Sequence, residues 1–157
     1  MPVMKRRTGE PRKVNSYGRI QYAALPYRGR TKSELQVMLV TSRGTRRWII
    51  PKGWPQSGMP PHQTAAAEAL EEGGVAGKVT KRPIGAYSYD KLLKNGTNMR
   101  CVVRVFALRV VREHKKWPEK HQRRIGWYSP GKAAQKVREP SLRRIIRGLA
   151  KRSQKTV

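Results

Sequence analysis

Glu68, Glu71 and Glu72 stand at spacings i, i+3 and i+4 in an alanine-rich segment, HQTAAAEALEEGG. On a helix these positions share one face, so the carboxylates converge within a few ångströms. The 25 residues from Gly53 to Gly77 hold these three of the chain's nine acidic residues and no Lys or Arg, where the chain average gives about six. Like charges so placed repel, and no basic side chain at i+4 relieves them. A hard divalent cation such as Mg2+ or Mn2+ turns that cost into a site, because carboxylate oxygens are the ligands it prefers. The competing reading, a solvated acidic stripe, sits badly in a chain this basic, where Lys or Arg partners would be expected.

The elements around these residues are legible from pattern. A strand begins at Gly18 and is expected to end at Pro26; a continuous apolar strand covers 35–41; a short strand, RRWIIP, is broken by Lys52-Gly53-Trp54-Pro55 and a Gly/Pro-rich loop. Ala-rich composition and the Gly73-Gly74 stop predict a helix from Pro61 to Gly73. Strands are expected at 79–89 and 99–111, joined by a Lys-Asn-Gly-Thr hairpin turn, and again at IGWYS. A helix follows at 130–137, and a last one from Pro140 places Leu142, Ile145, Ile146 and Leu149 on one face. Mixed strands with interspersed helices predict an α/β sandwich, and 157 residues suit one domain, 17–153, behind a basic arm at 1–16.

Thirty-six Lys and Arg against nine Asp and Glu give a formal net charge of +27, a field that attracts polyanions. The single cysteine, Cys101, lies in an apolar strand, which excludes a disulfide framework and a cysteine-rich zinc site and reads as a core thiol. No 18-residue apolar run is present, so no membrane span is expected. The basic N-terminus lacks the apolar stretch of a secretory signal, and a reducing, cytoplasmic setting is the expectation.

The stretch from Gly53 to Val75 resembles the Nudix box: Gly53, Glu68, Glu71, Glu72, Gly74 and Val75 fall at its spacings, with Ala69 at an apolar position. The surrounding AALPYR, RRWIIPKGWP, PIGAYSY, WPE and GWYS resemble bacterial Nudix hydrolases related to diphosphoinositol polyphosphate phosphohydrolases. The resemblance implies an α/β/α sandwich with a mixed sheet and a catalytic loop-helix-loop. It also implies Mg2+- or Mn2+-dependent hydrolysis of a phosphoanhydride. On it, Glu71 and Glu72 are the principal metal ligands, Glu68 a further ligand or the water-orienting base, and the Gly53 carbonyl an additional ligand. A late carboxylate is expected from a loop beyond the sheet, with Glu119 the candidate and Glu113 behind it. Glu119 also reads as a loop charge balancing Lys120 and Arg123. The box departs from pattern at Met59, where it has Glu, and at Ala67, where it has Arg.

Arg28 and Lys52, then Arg43, Arg46, Arg47 and Arg100, are the candidate substrate-binding cations. His62, near the start of the helix, reads as an ordinary surface histidine, and Trp54 as packing under the loop. The expected substrate is a polyphosphorylated small molecule, a dinucleoside polyphosphate before an inositol pyrophosphate. The alternative is a degenerate Nudix fold that binds nucleic acid through its basic ends.

Overall fold

Strands that are apolar at every position must be covered on both faces, and three central segments here have that character. The computed structural model describes residues 19–155, with side chains through 152; the basic arm expected at 1–16 lies outside the described residues. In chain order the strands are β1 (Arg19–Arg28), β2 (Gln36–Thr41), β3 (Trp48–Ile49), β4 (Lys52–Gly53), β5 (Val75–Val79), β6 (Gly85–Leu92), β7 (Asn98–Glu113) and β8 (Ile125–Tyr128). The helices are α1 (Pro61–Gly73), α2 (Pro130–Lys136) and α3 (Pro140–Lys155).

All eight strands form one mixed sheet, in the order β3-β2-β1-β7-β5, with β4 on β1, β6 on β7 and β8 on β2. Its spine is the parallel pair β1 and β7, in register from Arg19↔Cys101 to Tyr27↔Arg109; the other pairings are antiparallel. Successive side chains on a strand point to opposite faces. Accordingly Ala24, Met38, Val40, Phe106 and Leu108 pack with Ala65 and Ala69 of α1, whereas Ala23, Leu25, Val37, Leu39, Val105 and Ala107 pack with α2 and α3. The result is the expected α/β/α sandwich. Leu142, Ile146 and Leu149 seal the second layer, and Arg144, Arg147, Lys151 and Arg152 face outward. No helix among the described residues is long and apolar enough to cross a membrane.

Three boundaries depart from expectation. β1 runs through Pro26 to Arg28, and β2 pairs with it only from Tyr27, so the missing N–H of Pro26 breaks no bond to that neighbour. Lys52-Gly53 continues the sheet, pairing Ala23 and Tyr22. The strand expected at 79–89 is two strands, β5 and β6, with a bend at Lys81 and Arg82 ahead of Pro83. Cys101 is a buried free thiol, and burial raises its pKa.

Candidate active site

Helix α1 begins with Pro61 in its first turn, where a missing N–H costs nothing, and ends at Gly74, whose φ of 69° is left-handed. A Cβ at Gly74 would overlap the Trp117 ring, so the glycine both stops the helix and admits that indole. The helix lies across β1 and β2 with its alanines inward, which carries Glu68 and Glu72 to the edge of the core beside β4. Gly53 of β4 meets Glu68 so closely that a Cβ there would overlap the carboxylate. Glu72 is 3% exposed; one carboxylate oxygen accepts from the Lys52 backbone N–H at 3.4 Å and the other lies 3.5 Å from Arg123.

Burial pushes the Glu68 carboxyl up to about 8, helped by the charges of Glu72, Glu71 and Glu119. Burial also raises Glu72, to about 7, against the pull of Arg123 and Lys52. Crowding the carboxylates out of water raises the cost of their charge, a cost that a cation between them would relieve. Burial is also the main cause that lowers the Lys52 ammonium, whose Nζ lies 5.0 Å over the Tyr89 ring.

The five expected metal donors are only partly gathered. Glu68 and Glu72 converge beside Gly53. Glu71 is half-buried, and its backbone carbonyl accepts from the Glu119 N–H at 3.0 Å. Glu119 is committed to Arg123, whose Nε donates to it at 2.7 Å, instead of standing as a free ligand. Its side chain is 14% exposed, so it is not a solvated loop charge either. Among the described residues no group of three carboxylates, thiols or imidazoles is arranged to hold an ion unaided. The donor chemistry nevertheless fits Mg2+ or Mn2+: the converging groups are oxygens, buried, with a glycine leaving room for backbone and carboxylate to meet.

The candidate substrate cations separate into two sets. Arg28 lies at the far end of β1, six residues beyond the Gly53 partner Tyr22, or about 20 Å of strand. There it grips Glu113 at 2.9 Å and stacks 3.9 Å over Trp127, so its first rank as a substrate ligand is not supported, nor is Glu113 as a reserve metal ligand. Arg43 bonds Gln122, and Arg46 is exposed in the β2–β3 turn with a φ of 55°. Lys52 stays beside Glu72, whereas Arg100 and, through Glu139, Arg47 belong to a cleft at the start of α3. Arg47 pairs Glu139 at 2.9 Å, and Arg100 shares a cleft of about 300 Å3 with Tyr87, Ser88, Glu139 and Ser141. Tyr89, stacked under Lys52, adjoins Tyr87 with ring centroids 6.4 Å apart, which links the carboxylates to this cleft.

Tyr87, Glu139 and the bridging Arg123 were not among the expected site residues. Of these only Arg123 left a local trace, its i, i+4 spacing from Glu119. Trp54 is flanked by Arg19 at 5.4 Å and Lys91 at 5.2 Å, more a shelf for cations than an open stacking surface. His62 sits in the first turn of α1, nearly two turns before Glu68.

A mixed sheet between helical layers, with a loop-helix-loop presenting three glutamates at its edge, defines a Nudix-type fold. The structure resembles the E. coli dihydroneopterin triphosphate pyrophosphohydrolase with a TM-score of 0.64, at 17% identity over 88% of this chain and 99% of that one. It resembles a C. elegans Ap4A hydrolase in a binary complex with a TM-score of 0.60, at 15% identity over 84% and 95%. In sequence it is 26% identical to Nudix hydrolase 12, mitochondrial, of Arabidopsis thaliana, over 93% of this chain and 80% of the relative. No family model matches the chain. Box, fold and sequence relatives agree in likening the chain to the Nudix hydrolases, and they support a hydrolase acting on pyrophosphate bonds.

Proposed function

We propose that this protein hydrolyses a phosphoanhydride in a highly phosphorylated substrate, a dinucleoside polyphosphate before an inositol pyrophosphate, with Mg2+ or Mn2+. The observation that carries the reading is the convergence of the Glu68 and Glu72 carboxylates against Gly53 and Lys52, connected through Tyr89 and Tyr87 to a cleft lined by Arg100 and Glu139. The Ap4A hydrolase among the similar structures supports a substrate of this kind.

Glu71 and Glu72 would hold the cation, with Glu68 and the Gly53 backbone beside them. When bound, such an ion neutralises phosphate oxygens and makes an attacking water more acidic. The chain's own groups supply the remainder. Glu68, pinned against β4, is placed to accept a hydrogen bond from that water and so orient it. Lys52, Arg47 and Arg100 meet the negative oxygens of the chain of phosphates, and burial of the carboxylates strengthens each of these interactions by keeping bulk water out.

The test is incubation with Mg2+ or Mn2+ and diadenosine polyphosphates, inositol pyrophosphates, nucleoside triphosphates and capped RNA, read by ion-exchange chromatography beside Glu72→Gln. Cleavage that needs metal, leads on the long polyphosphates and falls at least 100-fold in Glu72→Gln is the expected result. A second reading, nucleic-acid binding by a fold that has lost catalysis, draws on the +27 charge and on the outward Arg144, Arg147 and Lys151 of α3. Folded protein that cleaves nothing yet binds RNA with a steep salt dependence would favour it.

A further inference from the structure

Helix α1 presents Glu68, Glu71 and Glu72 yet carries no Lys or Arg of its own. The countercharge comes from the segment between β7 and β8. Arg123 is 9% exposed on its side chain and reaches acceptors on three separate parts of the fold. Its Nε donates to Glu119 Oε1 at 2.7 Å, its Nη1 donates to the Thr41 carbonyl at 3.0 Å, and its Nη2 lies 3.5 Å from Glu72 Oε1.

Neighbouring bonds fix the base of this arrangement. Arg124 N–H donates to Thr41 Oγ1 at 2.9 Å, and Thr41 N–H donates to the Arg124 carbonyl at 3.1 Å, so the arginine is anchored to the end of β2. Glu119 N–H donates to the Glu71 carbonyl, which ties the loop to the last turn of α1. A guanidinium can serve all three acceptors at once because its donors lie in a rigid planar fork; an ammonium is a point charge on a flexible stem and cannot.

We propose that Arg123 is a positioning residue for the catalytic carboxylates: it fixes Glu72 relative to Glu119 and β2, so that the donor set forms only when the loop is docked. The inference rests on the hydrolase reading for its effect on rate, but not for its effect on metal binding.

The experiment compares Arg123→Lys and Arg123→Leu with the unmodified protein and with Glu72→Gln. Mn2+ affinity is read from the paramagnetic resonance of free Mn2+, alongside kcat, KM and melting temperature. Arg123→Lys keeps the charge and most of the volume, so it carries the test if the leucine variant does not fold. The expected result is a folded Arg123→Lys with Mn2+ affinity and kcat each down about tenfold and KM changed less than about twofold, the scale seen when an outer partner of a metal ligand is lost. Arg123→Lys that melts lower but binds Mn2+ and turns over as before would overturn the proposal and leave a merely structural arginine. Unmodified protein that binds Mn2+ in an Arg123-dependent way yet cleaves nothing would sink the hydrolase reading alone. Failure of the unmodified protein to bind Mn2+ at all would overturn both.

Discussion

Gly53 is the smallest residue at the site and the one with the least room for change. Its backbone lies against the Glu68 carboxylate because nothing projects from its α-carbon. A methyl group there must move either the carboxylate or β4, and β4 is held by its pairing with Tyr22 and Ala23. Gly53→Ala is therefore expected to displace Glu68 from the place where it orients water. We expect kcat to fall about tenfold or more, since misplacement by about an ångström is costly to catalysis. The stability cost should be modest, about 1–3 kcal/mol for overpacking at a partly exposed edge. Urea unfolding and steady-state kinetics on one preparation separate the two effects. Unchanged kcat in the variant would mean that Glu68 does not depend on this contact.

At the level of elements, the site is a joint between α1 and the segment that follows β7. Trp117 lies over Gly74, the His114 N–H donates to the Gly74 carbonyl at 2.8 Å, and the Glu119 N–H donates to Glu71. Gly74→Ala meets two penalties together, a side chain at a φ of 69° and overlap with the indole. The expected cost is about 1 kcal/mol for the left-handed backbone and about 1–3 kcal/mol for the overlap. Mn2+ should offset part of it if docking of the loop completes the donor set. Thermal melts with Mn2+ and with EDTA measure both; equal losses in the two conditions would uncouple the loop from the ion.

These elements were readable in the sequence to different depths. Pro61 and Gly73-Gly74 mark α1 because their backbone requirements are local, and the apolar runs mark the strands because burial on both faces leaves no polar position. The early start of β5 at Val75 was hidden because its bulge at Gly77, pressed against the Arg109 backbone, is set by a partner strand 32 residues away. The pairing of Arg28 with Glu113 and the reach of Arg123 to Glu72 were hidden for one shared reason. Thirty-six basic residues offer many partners, and only tertiary packing decides that Arg28 goes to Glu113 and Arg123 to Glu72.

On the scale of the whole molecule, the charge of +27 exceeds what a few phosphate-binding side chains require. Much of it lies away from the carboxylates, as on the outer side of α3. Charges that distant act through the field they create and not through contact, so they should govern encounter with substrate more than chemistry. Such a field is screened over about 8 Å at physiological ionic strength and about 3 Å at 1 M salt. The dependence should therefore grow with substrate charge. Raising KCl from about 0.05 to 0.5 M should lower kcat/KM for a dinucleoside tetraphosphate about tenfold, a size in keeping with electrostatic steering. A dinucleoside diphosphate should lose much less, and kcat at saturation should change little for either. Stopped-time assays at fixed Mg2+ activity across the salt series would measure this. If both substrates respond alike, the basic surface does not serve substrate capture, and the α3 face becomes the place to look for a nucleic-acid partner.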